Sequence, residues 1–193
     1  MTQYAYPDSD VDVGEWYDPM FGQDDLWDMI NETQPLDSGS DWEYVYSADS
    51  YGADDSMTVG LSNVTDPWTK KNHVVRYRAK GDDQGSPPIP DLTVALLENS
   101  TQRATVTITP TSSYADYALI LTESEANAIS NYDNLRLKFT RVAAAGFGEE
   151  VYISQAYFEC PTFAPAAGIA GIAYSPARSV ASSASFGPTQ RTR

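Results

Sequence analysis

Four stretches of the chain alternate apolar and polar residues with a period of two, and this alternation limits the fold more than any other feature. In HVVRYRAK (73–80), Val75, Tyr77 and Ala79 share one face while Arg76, Arg78 and Lys80 share the other. DLTVALLE (91–98) sets Leu92, Val94 and Leu96 together, and RATVTITP (103–110) turns Ala104, Val106 and Ile108 inward and its threonines outward. NLRLKFTRV (134–142) opposes Leu135, Leu137 and Phe139 to Arg136 and Lys138. Such a period belongs to a strand whose sheet covers a core on one side only. WEYVYS (42–47), MTVGLS (57–62), YALILT (117–122) and VYISQAYF (151–158) are further strand candidates. About eight strands with little helix predict an all-β fold, an antiparallel two-sheet sandwich of jelly-roll type.

The connections support this reading. GDDQGSPPIPD (81–91) is a loop, because its prolines cannot donate to a strand ladder. Two short helices are expected. In TESEANAIS (122–130), Thr122 and Glu125 form a capping box. In DDLWDMINE (24–32), Asp25 is the expected cap, with Asp28 in the first turn where a negative charge suits the helix dipole. The expected organisation is an N-terminal arm (1–10), the sandwich (11–161) and an extended tail rich in Ala, Gly, Ser and Pro (162–193). The tail has too few bulky side chains to fold alone.

Charge narrows the partners. The formal net charge is −15, and sixteen acids precede Lys70 with no Lys or Arg among them. From Ala164 onward there are three arginines and no acid. An acidic body of this kind repels nucleic acid and anionic membranes. Neither a basic-plus-apolar leader nor an apolar run of about 18 residues is visible in the sequence.

Little in the sequence asks for catalysis. PDSDVDVGEW (7–16) has the alternating aspartates Asp8, Asp10 and Asp12 of a calcium loop. Counted from Asp8, however, the sixth residue is Val13 and the twelfth is Pro19, and Gly14 falls one place late. An opening strand with solvated carboxylates is the expectation, with no metal site. His73 is the single histidine, so a two-histidine zinc site and a histidine-based triad lack their parts. It is expected at the edge of the core. Cys160 stands alone and is expected to be a semi-buried thiol. No phosphate-binding glycine motif is present, and neither a cofactor nor an enzymatic activity is expected.

Aromatic residues crowd the first third: Trp16, Tyr17, Phe21, Trp27, Trp42, Tyr44, Tyr46 and Tyr51. Most are expected to fill the core. A minority beside carboxylates could stack on sugars, which makes a carbohydrate-binding module the alternative function, with Trp16, Trp27 and Trp42 as candidate glycan contacts.

Several stretches resemble a domain of tailed-bacteriophage structural proteins. They are PDSDVDVGEW, the run Leu26, Trp27, Ile30, Asn31 and Glu32, SDWEYVYS, VVRYRA (74–79), LTVALLENST (92–101), LTESEANAISNYDNLRLKF (121–139) and VYISQAYFECP (151–161). The resemblance spans about residues 7–161. SVASSASFGP (179–188) is similar to short elements of virion proteins, departing at Ser183 where an acid would stand. The resemblance implies a non-enzymatic virion protein of jelly-roll type: a head decoration or cement protein, or a collar or fibre attachment. Such a protein would bind other virion proteins, form homo-oligomers and bind neither nucleic acid nor membrane. The tail would dock on a neighbouring subunit through Ile169, Ile172, Tyr174, Val180 and Phe186, with Arg178, Arg191 and Arg193 meeting acids.

Overall fold

The structure, a computed structural model, describes residues 1–20, 22–33, 35–36, 41–48, 53–82, 88–142 and 150–162. The alternating segments form two antiparallel sheets, as their period requires. Eleven strands are described: β1 (Thr2–Ala5), β2 (Pro7–Asp12), β3 (Trp16–Tyr17), β4 (Val45–Ser47), β5 (Asp55–Leu61), β6 (Val74–Asp82), β7 (Leu92–Glu98), β8 (Thr101–Ile108), β9 (Ala115–Ile120), β10 (Leu135–Arg141) and β11 (Glu150–Pro161). One sheet has the order β3-β4-β11-β6-β9, with β1 also paired to β11; the other has the order β2-β5-β10-β7-β8. The result is a two-sheet sandwich of jelly-roll type, as the alternation predicts. No helix among the described residues is long and apolar enough to cross a membrane.

The inner faces are those the alternation assigns. Val75, Tyr77 and Ala79 are buried, as are Leu92, Val94 and Leu96, and Leu135, Leu137 and Phe139. The two sheets meet at Tyr77 and Phe139, whose ring centroids are 6.4 Å apart at 69°, an edge-to-face contact. Stacked at 5.6 Å against Tyr77 is Tyr117 of β9. Full burial of one such large side chain is worth about 1.5–3 kcal/mol, so the interface between the sheets carries much of the stability.

Three expectations need correction. Residues 1–10 are not an arm. β1 pairs with the end of β11, from Thr2↔Pro161 to Ala5↔Phe158, and β2 pairs with β5. The acids of this segment hide a strand pattern in which Ala5 is fully buried while Asp8 and Asp12 stay in solvent. The chain thus crosses from one sheet to the other between Ala5 and Pro7, and Met1–Phe163 form one compact unit.

The second correction concerns 24–32. The segment is a 3-10 helix, Leu26–Ile30, and Asp25 is left-handed at φ 57° with no side-chain cap. Asp10 of β2 does the capping instead: its carboxylate accepts from Leu26 N–H and Trp27 N–H, both at 2.9 Å. The aspartate run therefore holds a helix end by a long-range contact. No group of three or more metal-ligating side chains occurs among the described residues.

Third, WEYVYS contributes only Val45–Ser47 to a strand, and Asp41 and Trp42 lie in the turn before it. The helix α1 (Glu123–Ala128) carries the predicted capping box. Thr122 Oγ accepts from Glu125 N–H at 3.2 Å, and Glu125 Oε2 accepts from Thr122 N–H at 2.7 Å. The tail residues Ile169, Ile172, Tyr174, Arg178, Val180, Phe186, Arg191 and Arg193 lie outside the described residues, as do Phe21 and Tyr51.

Candidate functional site

The outer face of the six-stranded sheet is where aromatic rings and charged groups gather. Its construction follows from register, because residues directly opposite on paired strands share a face. Tyr17 of β3 pairs with Tyr46 of β4, Tyr46 pairs with Tyr152 of β11, and Tyr152 pairs with Lys80 of β6. Four strands therefore contribute one straight row of outward side chains. Ring centroids along it are 6.0 Å apart for Tyr17–Tyr46 and 5.8 Å for Tyr46–Tyr152, and Lys80 Nζ stands 4.3 Å from the Tyr152 centroid. Tyr44 joins from the side, 6.3 Å from Tyr46 and 5.4 Å from Tyr152.

Two phenols of the row donate to carboxylates. Tyr17 Oη donates to Glu15 Oε2 at 3.0 Å, and Tyr152 Oη donates to Glu150 Oε2. The hydrogen bond to Glu15 pushes the Tyr17 phenol above its ordinary pKa, and burial together with Glu150 does the same for Tyr152. The rings stay neutral near pH 7.

Next along the sheet is an ion-pair network. Arg78 donates to both oxygens of Asp41, from Nε at 2.7 Å and from Nη2 at 3.1 Å, and from Nη1 to Asp116 at 2.5 Å. The fork is bidentate, a geometry that fixes the guanidinium plane. A β-bulge between Ile153 and Gln155 lies beside it. Gln155 pairs with Arg78 and so shares the outer face, where it is fully buried against Glu32 and Thr33 and donates to their carbonyls, both at 3.1 Å. The bulge thereby anchors the segment that leads toward Asp41.

A second aromatic group follows. Tyr157 of β11 meets Tyr4 at 5.8 Å and Tyr6 at 5.9 Å. Beside it Arg76 Nη2 pairs with Glu159 at 2.8 Å. A recess along this stretch is lined in part by Arg76, Asp116, Tyr157 and Glu159. Another recess is lined by Pro19, Tyr44, Tyr46, Glu150 and Tyr152. Ring faces flanked by fixed hydrogen-bonding groups are suited to the CH faces and hydroxyls of a sugar. Tyrosine side chains have only two torsions to immobilise, which keeps the ordering cost of such a contact low.

The predicted glycan tryptophans do not make this surface. Trp16 is fully buried, so its ring is closed to any ligand. It sits at the start of β3 one residue before outward-facing Tyr17, and strand alternation therefore turns it inward. Trp27 is half-buried and packs against the core. Trp42 is 66% exposed in the turn before β4. The expectation that most of the early aromatics are core fails for Tyr17, Tyr44 and Tyr46, which are half-buried and not part of the core. A signal was available: in WEYVYS, Tyr44 and Tyr46 share parity, opposite the fully buried Val45 and Ser47.

The residues considered for catalysis sit elsewhere. His73 is fully buried; its Nδ1 donates to Lys71 O at 3.1 Å, since a carbonyl can only accept, and its Nε2 accepts from Tyr132 Oη at 2.8 Å. Burial holds its pKa below the ordinary value. Cys160 is buried and its thiol is pushed up to about 12, chiefly by burial and then by Asp66. A thiol in that state is a poor nucleophile.

No family model matches the chain, and no curated protein matches it. Among solved structures, it is similar to a family 29 carbohydrate-binding module studied for its mechanism of ligand recognition, at 13% identity over 86% of this chain and 99% of that one, with a TM-score of 0.47. A second structure described as a family 29 carbohydrate-binding module matches at 13% identity over 84% of this chain and 91% of that one, TM-score 0.43. A cyclase from Fischerella sp. TAU matches at 16% identity over 84% of this chain and 75% of that one, TM-score 0.41. At these identities and scores the likenesses carry no inference about ligand or activity.

Proposed function

We propose that the sandwich is a non-catalytic carbohydrate-binding domain that holds a saccharide against the outer face of its six-stranded sheet. The observation that supports this most is the row Tyr17–Tyr46–Tyr152, one ring per strand across three paired strands, with Tyr44 beside it. The bidentate Arg78–Asp41 pair and the Arg76–Glu159 pair would supply fixed donors and acceptors to hydroxyl groups. Binding would proceed without turnover. The buried, hydrogen-bonded His73 and the high-pKa Cys160 both lie outside this face. The test is a glycan array probed with the full chain. Binding to a defined set of glycans, weakened in Tyr152→Ala, supports the proposal, and silence across a broad array rejects it.

A second reading concerns setting. The resemblance over residues 7–161 and the arginine-bearing, acid-free segment from Ala164 onward support an accessory protein of a phage particle, a decoration, collar or fibre component. It would attach to neighbouring virion proteins through the C-terminal residues. The two readings are compatible, since a particle can carry its own glycan-binding domains.

A further inference from the structure

Resting on the carbohydrate-binding reading, we infer that the saccharide this face selects carries a positive charge: an amino-bearing glycan, its ammonium seated in the recess between Tyr44, Tyr46, Tyr152 and Glu150. Neutral sugars need ring faces and hydrogen bonds only. This recess offers more.

Its walls are three phenol rings at different angles. Tyr44 is inclined 60° to Tyr46 and 63° to Tyr152, while Tyr46 and Tyr152 are within 24° of parallel. Inclined rings around one space offer π-electron density to a cation seated there, the interaction that attracts an ammonium group. A carboxylate completes the lining, because Glu150 stands in the same recess with Pro19. Tyr152 Oη donates to that carboxylate, so ring and charge are held together.

The protein already places one ammonium on this row. Lys80 Nζ lies 4.3 Å from the Tyr152 centroid and 5.1 Å from that of Tyr114. Lys80 comes from β6, on the opposite side of β11 from Tyr46, and it is not part of the recess lining. One side of Tyr152 is therefore served by an internal cation, while the recess opens on the β4 side.

Charge complementarity points the same way. The net charge of −15 draws a polycation in and repels uronate-bearing or sulfated chains. A recess alone would take any small ammonium ion. The row that runs on from it through Tyr46 to Tyr17 provides further rings for further sugar units, which favours an oligosaccharide over an isolated cation.

The experiment is calorimetric titration of the full chain with three oligomers of equal length and linkage: β-1,4-linked glucosamine, its N-acetylated form, and β-1,4-linked glucose. The expected result is about tenfold or greater preference for the amine form, reduced to the level of the acetylated form by Glu150→Gln and by Tyr44→Ala. Asp133→Asn, an exposed acid just before β10, should leave the preference intact. Equal affinity for amino and neutral oligomers would overturn the inference and leave the carbohydrate reading standing. So would an equal loss in the Asp133 and Glu150 variants, which would assign the preference to bulk charge. Binding of choline as tight as that of the amino oligomer, with no neutral sugar bound, would overturn the saccharide part. No binding of any oligomer would count against both.

Discussion

Tyr46 and Tyr152 lie directly opposite one another on β4 and β11, their ring centroids 5.8 Å apart and their planes 24° from parallel. Each belongs to a strand whose next residue is fully buried or held in a buried hydrogen bond. Val151 N–H donates to Ser47 Oγ at 3.0 Å, and Ile153 is fully buried. The rings are thus fixed from beneath by the core, while their outer sides remain half-buried. This coupling of a rigid inner layer to an aromatic outer layer is what makes the face a binding surface.

Replacing single rings should therefore grade the affinity. Tyr46→Ala and Tyr152→Ala are each expected to weaken saccharide binding by about 3- to 10-fold, and Thr105→Ala, at an exposed position of β8 in the other sheet, should leave it unchanged. Affinity electrophoresis in a polysaccharide gel reads this, with far-UV circular dichroism confirming that each variant is folded.

Gly14 turns the chain from β2 into β3 at φ +53°, and a Cβ there would stand 2.1 Å from the Ser56 carbonyl oxygen. Both strain and collision follow from any side chain. Gly14→Ala should lower stability by about 1–3 kcal/mol, seen as a lower Tm in a thermal melt. An unchanged Tm would show that the turn tolerates a side chain.

Glu98 is a buried carboxylate whose charge is well supported. It accepts from Ser130 N–H at 3.0 Å and Ser130 Oγ at 2.5 Å, and from Arg103 Nε at 2.9 Å. Burial opposes ionisation, but the bonds from Ser130 and Arg103 win and hold its pKa below the usual 4.5. Its contribution is present above pH 4.5 and disappears as pH falls through the lowered folded value. Glu98→Ala should cost about 1.5–3 kcal/mol at pH 7 and much less at pH 3, measured by urea unfolding at both pH values.

His73 acts at higher pH. Burial lowers its pKa from 6.5, so the unfolded chain takes up a proton before the folded one does. Stability should begin to fall as pH drops below 6.5 and stop falling once the folded-state pKa is passed. A series of melts between pH 7.5 and 5 should show the decline in the wild type and a flatter profile in His73→Gln. Asp10 and Asp55, whose pKa values burial raises, work in the opposite direction at lower pH. The His73 variant isolates its own share.

A chain ending at Thr162 retains every described strand. Its Tm should stay within about 2–4 °C of that of the full chain. Under the virion proposal it loses co-sedimentation with particles. Undiminished co-sedimentation would remove the role assigned to Ile169, Ile172, Tyr174, Val180 and Phe186.

The sandwich was legible because one-sided burial writes itself into a period of two, which β10 shows from end to end and β6 and β7 break only at Val74 and Ala95. The capping box at Thr122 was legible because it is local, spanning three residues. What was missed is non-local. Asp10 caps a helix 16 residues away, and no spacing rule links Asp10 to Leu26. β2 was hidden because Asp8, Asp10 and Asp12 read as a solvated arm, and β1, four residues long, offers too few positions for a period to stand out. The tyrosine row depends on the register of two strand pairs, β3 with β4 and β4 with β11, and sequence parity gives only which residues share a face within one strand. Trp16 stands beside Glu15, as a sugar-stacking ring can, but its parity opposite outward-facing Tyr17 turns it into the core.

The most direct measurement is calorimetric titration of saccharides into the wild-type full chain and into the double variant Tyr46→Ala/Tyr152→Ala. A wild type that binds with saturable heat, and a folded double variant that shows none, is the result predicted by a tyrosine row that carries recognition. A double variant that binds as tightly as the wild type would contradict it.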